Sequence, residues 1–340
     1  MLVVLFHLTW WGGEPRFLAL PHWLTPSLSV ENPAGFFLFG HSGVDFFFVL
    51  SGFVITWRYA SEVGDIRRLL PFLRARFVRI YPTYWVVFGL TAVYRLFRQW
   101  IDDKALADAG TLLRGFALYG VGPWLVPPAG TLPSELVLYI FFAAAFVLGP
   151  RLFAVAAAAW CSLIVAQWTG WIVVRGYTTL LSPMLLEFFL GCLGAVFIQR
   201  VRPRWSGRWL ALAAALYVPI AVADSVGVAI GIHQNVLTFA LPYLALILTG
   251  VAYELQRPRA YPRLLMLLGD ASFSIYLTHY YLILESDWQF LRHPGIAATI
   301  GHDAARVLAL VVILAIGIAF WALVERPLLH ALRPSAPSPP

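Results

Sequence analysis

The chain has 340 residues, 60% of them hydrophobic and only 12% charged, with a mean hydropathy of +0.77 and a formal charge of +7. A soluble domain of this size has no interior large enough for so much apolar surface, so the composition excludes the soluble classes and points to a polytopic membrane protein. The basic residues lie between apolar segments, where they set topology, and give no ground for a nucleic-acid partner.

A helix crossing the bilayer needs about 20 apolar residues. Ten stretches are candidates: 1–11, 36–57, 80–97, 131–149, 153–174, 179–198, 209–224, 236–253, 264–284 and 306–325. The expected fold class is therefore all-α, a polytopic integral membrane protein of about ten transmembrane helices. It forms one domain over 1–330, followed by a disordered Pro/Ser tail over 331–340. With the amino terminus inside, the inner loops hold sixteen of the 24 lysines and arginines. That bias predicts both termini in the cytoplasm and a bacterial inner-membrane location. The amino terminus lacks a basic flank and a small-residue cleavage site, so no cleavable signal is expected.

The first stretch, MLVVLFHLTWW, is too short to cross alone. A misplaced start, lost residues or burial against neighbouring helices would each explain it. The second, FFLFGHSGVDFFFVLSGFVITW from Phe36, carries Asp45, and a carboxyl in lipid costs about 2.5–3.5 kcal/mol, so it calls for a partner or a task. An arginine-rich connector follows, with Arg58, Arg67, Arg68, Arg74, Arg76 and Arg79. Arg76 and Arg79 share a helical face and suit a phosphate. The outer segment 99–130 holds Asp102, Asp103, Lys104 and Asp108, then the run GVGPWLVPPAG, which cannot be a regular helix and reads as a lid, part of a cleft or a surface loop.

Spacing along each span converts to depth at about 1.5 Å per residue. His7 lies below Trp10 and Trp11, which read as an outer aromatic belt. Asp45, Glu135, Glu187 and His279 fall in the same outer half, while Arg76, Arg79, Glu325 and Arg326 lie at the inner face. The sequence thus predicts two polar clusters, one suited to proton transfer and one to an anion. Each residue also has a plain structural reading. His7 suits a hydrogen-bonded core position, and Glu135, after Pro133 and Ser134, suits the positive end of a helix dipole. Glu187 and His279 are read as structural, and His41 near the outer mouth as a gate, a substrate contact or neither. Cys161 and Cys192 read as small buried hydrophobes. His22, His233, His293, His302 and His330 lie in loops or the tail without ligand spacing, so no metal is expected.

Six stretches in order carry a resemblance: LVVLFH (Leu2 to His7), GVDFFFVLSGF (Gly43 to Phe53), RFVRIYPTYW (Arg76 to Trp85), GTLPSELVLY (Gly130 to Tyr139), SFSIYLTH (Ser272 to His279) and VERP (Val324 to Pro327). Together they resemble membrane-bound acyltransferase family 3, which includes bacterial O-antigen and exopolysaccharide O-acetyltransferases. The resemblance implies ten membrane helices, an acyl-CoA donor (acetyl-CoA above all) and a saccharide or glycan acceptor. It matches His7 to a first-helix catalytic histidine and Arg76 and Arg79 to an arginine pair. The family's basic residue about a dozen positions before that histidine would precede Met1.

The expected mechanism has His7 as general base on the acceptor hydroxyl or as a transient acyl carrier and Asp45 orienting it, with Glu135 as the third catalytic residue. The donor would bind through Arg74, Arg76, Arg79, Tyr81 and Ser51. A transporter or flippase for a lipid-linked sugar, or a non-catalytic partner of polysaccharide enzymes, is the other class of reading. Against transport, the halves show no matching pair of interrupted helices.

Overall fold

A computed structural model describes residues 1–10, 36–102, 108–120, 124–175, 179–225, 237–286 and 299–332. Trp11, Asp103, Lys104, His22, His233, His293 and most of the tail lie outside the described residues. Among the described residues the fold is all-helical. The helices are α1 (Leu2–Trp10), α2 (Gly43–Tyr59), α3 (Leu69–Asp102), α4 (Ala109–Ala117), α5 (Leu132–Ala143), α6 (Ala145–Trp168), α7 (Leu185–Val201), α8 (Gly207–Ser225), α9 (Leu237–Gln256), α10 (Arg263–Asp270), α11 (Ser272–Ser286), α12 (His302–Phe320) and α13 (Arg326–Leu332).

Five helical stretches among the described residues are long and apolar enough to cross a membrane: Leu38–Glu62, Ala145–Trp168, Gly207–Ser225, Leu237–Gln256 and His302–Leu332. The other sequence-predicted spans fall on helices that are shorter, interrupted or charged. Span 1–11 maps to the nine residues of α1, and 264–284 is divided at Ala271 between α10 and α11. Span 80–97 lies within α3, whose 34 residues rise about 51 Å, well beyond a hydrocarbon core of about 30 Å. The extra length of α3 is its arginine-bearing start. At Gly149 the chain leaves helical geometry, φ 73° and ψ 172°, ahead of Pro150, which separates 131–149 from 153–174. His302 and His330, expected in loop or tail, lie on α12 and α13, and Leu332 ends α13.

Large apolar side chains cover the outside: Val155, Leu193, Leu216 and Leu323 are all more than half exposed. Such a surface is stable only against lipid, and it marks the chain as a membrane protein. The interior is built at close approaches. On α2, a Cβ at Gly52 would collide with the Phe188 carbonyl of α7, and one at Gly191 of α7 with the Val49 carbonyl of α2. Small residues let membrane helices cross this closely. Short α1 is held by Val4 and Leu8 in a cluster with Ile275 and Ile283 of α11 and Ala309 and Ile313 of α12. Burial among neighbours is thus how this short helix sits.

The Gly/Pro-rich run after 120 is not a surface loop over its described part. Leu125, Val126 and Ala129 are buried, and the Tyr281 hydroxyl donates to Leu125 O. A 3-10 turn, Pro127–Thr131, leads into α5 from inside the bundle.

Candidate active site

On an α-helix adjacent residues point about 100° apart, and that angle decides what the two rings of α1 meet. Phe6 turns toward the Leu38–Ser42 turn, its ring centroid 5.7 Å from that of His41. His7 turns toward α11, its ring 5.0 Å from that of His279. His7 Nδ1 is 2.9 Å from Val3 O and 3.1 Å from His279 Nε2, while His279 Nδ1 is 2.6 Å from Tyr276 O. His279 is completely buried. His7 Nε2 takes no hydrogen bond among the described residues.

Asp45 faces elsewhere. In the first turn of α2 it lies close to Glu187, in the first turn of α7. Glu187 is completely buried, and neither of its oxygens has a hydrogen-bond partner among the described residues. His41 and Asp224 lie within electrostatic reach of Asp45, and His41 Nε2 pairs with Asp224 Oδ2 at 2.9 Å. Ser42, Tyr243 and Tyr217 continue this polar cluster through hydroxyl contacts of 2.8 and 2.9 Å. The expected His7–Asp45 dyad is therefore replaced by two pairs, His7–His279 and Asp45–Glu187. Sequence depth located all four residues in one layer; it carried no information on azimuth, and Phe6 stands between His7 and His41.

Arg79 of α3 lines a cavity of about 250 Å³. Its lining includes Ser51 of α2, Arg79 of α3, Glu135 and Tyr139 of α5, and Phe273 and Tyr276 of α11. The Tyr139 hydroxyl sits 3.4 Å from both Glu135 Oε2 and Ser51 Oγ. Arg76 and Arg79 are the cations that act on Glu135. The depth argument grouped Glu135 with His7; the structure groups it with the arginines. Depth counted from a helix start assumes a start at the membrane surface, whereas α5 starts beside buried Pro128 and Ala129, with Tyr276 donating to Pro128 O.

The two arginines differ. Arg79 Nη1 donates to Glu325 Oε1, and its guanidinium lies 5.1 Å from the Phe273 ring centre. Arg76 lies 5.7 Å from the ring centres of Phe72 and Tyr139, and its Nε is buried without a partner. Arg74 is exposed on the same helix. Tyr81 stands apart from the cavity: it stacks on Phe77 and donates to Ala117 O of α4. Glu325 lies in a π-helical turn, Trp321–Glu325, a distortion frequent at functional sites.

Tyr276 is part of the cavity wall, and its ring centre is 5.9 Å from that of His279. His7, an imidazole with one free nitrogen, thus stands behind His279, which packs on the Tyr276 wall of a cavity that Arg79 also lines. That arrangement suits transfer of an acyl group to a hydroxyl. Sequence reasoning missed the catalytic-side contact of His279, although SFSIYLTH ends on it and its depth matched that of His7. Among the described residues no three His, Cys, Asp or Glu side chains converge as a metal site, and both cysteines are free.

The family assignment agrees with this chemistry. The acyltransferase domain family matches residues 1–326, and the chain belongs to it: it is a membrane-bound acyltransferase of family 3, acting with an acyl donor. It is 30% identical over 321 residues to the exopolysaccharide production protein ExoZ of Rhizobium meliloti (strain 1021), covering 89% of this chain and 93% of that relative. It is 26% identical over 330 residues to nodulation protein 10 of Rhizobium leguminosarum bv. viciae, covering 85% and 82%. Protein 2 in the picA locus of Rhizobium radiobacter is 40% identical over 134 residues, 33% of this chain and 68% of that relative. No solved structure gives a significant match.

Proposed function

We propose that the protein moves an acetyl group from cytoplasmic acetyl-CoA to a hydroxyl of a polysaccharide. It would do so as a single domain of about ten crossings in the bacterial inner membrane, both termini inside. The observation that carries this reading is the free Nε2 of His7, whose other nitrogen is committed, in a histidine pair that packs on Tyr276, a wall of the cavity that Arg79 lines. The acceptor follows from the name of the relative that aligns over 93% of its length, an exopolysaccharide production protein.

The donor fits the residues present. A buried, unpartnered Arg76 Nε is ready for a phosphate oxygen, and exposed Arg74 adds charge at the mouth. The cavity has a polar wall of Ser51, Glu135 and Tyr139 and an apolar wall of Phe47, Phe48 and Phe273, matching the alternation of amides and methylenes in a pantetheine arm. The thioester would have to pass Tyr276 and His279 to reach His7.

His7 Nε2 then takes the proton of the acceptor hydroxyl as its oxygen attacks the thioester carbonyl. The C–S bond breaks, and His7 returns the proton to the departing thiolate, giving ester and free CoA thiol. General-base assistance of this kind is worth about 10²–10⁴-fold. Asp45, with Glu187 and His41, would bind acceptor hydroxyls in the same layer, and Glu135 and Ser51 would align the donor.

The test is purified protein in detergent with radiolabelled acetyl-CoA and surface polysaccharide. Label should move to the polysaccharide with wild type, and His7→Ala should abolish it at equal protein level. Neither donor binding nor transfer by the wild type would overturn the reading in favour of a transporter or a scaffold.

A further inference from the structure

The hydrogen bonds of the two imidazoles can be solved for proton positions. A carbonyl oxygen only accepts, so the ring nitrogen facing it carries the hydrogen. Tyr276 O therefore fixes hydrogen on His279 Nδ1, and Val3 O fixes it on His7 Nδ1. His279 Nε2, 3.1 Å from His7 Nδ1, is then the acceptor of that contact, and the His7 hydrogen is shared between Val3 O and His279 Nε2. A doubly protonated His279 would force a lone pair of His7 Nδ1 against Val3 O at 2.9 Å, two acceptors face to face. Of the four ring nitrogens, one is left with a free lone pair: Nε2 of His7.

We infer that His279 is the positioning residue of His7. It locks the Nδ1–H tautomer and holds the ring plane, so that the base always presents Nε2 to the acceptor hydroxyl. The same accounting removes His279 as a base, since its Nδ1 bears hydrogen and its Nε2 is occupied. The chain Tyr276 O, His279, His7 runs from the wall of the donor cavity to the reacting nitrogen, and so ties the orientation of the base to α11, the helix that also supplies Phe273 and Tyr276 to that cavity. This inference rests on the reading of His7 as general base.

The experiment uses the full chain in detergent, with labelled acetyl-CoA, surface polysaccharide, and the variants His279→Leu, His279→Gln and His7→Ala. His279→Leu should lower kcat roughly 10–100-fold with the donor KM unchanged, less than the about 10⁴-fold seen when a sole orienting group is lost, because Val3 O still holds the ring. Gln at 279 restores an acceptor and should recover part of kcat, which a packing role would not produce. Nitrogen NMR of histidine-labelled wild type, with His7→Ala for assignment, should show hydrogen on His7 Nδ1 and none on Nε2. Full kcat in a folded His279→Leu variant, or hydrogen on His7 Nε2, overturns the inference. Should His279→Leu fail to fold, the wild-type spectrum decides. Full activity in His7→Ala would remove the general-base reading, while the spectrum would still judge the tautomer separately.

Discussion

Arg79 Nη1 donates to Glu325 Oε1 at 2.7 Å, tying α3 to the π turn near the end of the chain. Ser274 donates to the other Glu325 oxygen, and Glu325 is completely buried. Its charge therefore depends on Arg79. Arg79→Ala strands that charge and should cost about 3 kcal/mol, the low end for a broken buried pair because the arginine is partly exposed. Scanning fluorimetry in detergent should show a lower melting temperature, partly recovered in Arg79→Met with Glu325→Leu. Arg76→Ala breaks no ion pair; it should melt near wild type and raise the donor KM. Equal destabilisation by both alanines would show that the two arginines share one duty.

Asp45 and Glu187 lie side by side as carboxyls, and an amide at 45 offers Glu187 a donor. Asp45→Asn should fold like wild type and retain kcat to within about tenfold, whereas loss of a direct histidine-orienting carboxylate costs about 10⁴-fold. Asp45→Ala offers buried Glu187 no such donor and should melt below Asp45→Asn. A kcat loss near 10⁴-fold in Asp45→Asn would restore the direct dyad.

How much the sequence showed depends on what one dimension encodes. Hydrophobic length revealed the membrane class and the break between 149 and 153, and spacing brought Arg76 and Arg79 to one face. Depth correctly suggested that His7 and His279 share a layer. What failed was azimuth: Phe6 and His7 diverge on α1, and no periodicity says which neighbour each will meet. Glu135 failed for another reason, since α5 starts inside the bundle, after a buried turn that reads in sequence as loop.

Asp108 caps α4, its carboxylate accepting from Thr111 Oγ1 at 2.7 Å and Thr111 N at 2.9 Å. Those bonds, the hydroxyl first, hold its carboxyl below the usual range. A depressed folded value means the cap stabilises fully above the ordinary aspartate value of about 3.9 and loses that contribution as pH falls through the folded value. Hydrogen exchange over 109–117, corrected for intrinsic rates, should show the first turn of α4 opening as pH drops through that window. Asp108→Ala should show the opening already at neutral pH. Protection unchanged at both conditions would mean the cap contributes nothing.

Gly52 and Gly191 set the spacing of α2 against α7, the pair that carries Asp45 and Glu187. A methyl at either would enter a backbone carbonyl of the partner helix, where nothing flexible can yield. Gly52→Ala and Gly191→Ala should each cost about 1–3 kcal/mol through forced separation, and the separation should part the two carboxyls one to two turns away. Gly89 in α3 and Gly250 in α9 are the controls: a Cβ there meets nothing within 4 Å. Alanine at those two should hold or raise stability by up to about 1 kcal/mol, the helix-propensity difference. Melting temperatures of the four variants in one detergent decide it. Equal behaviour of all four would show that α2 and α7 do not depend on close backbone contact.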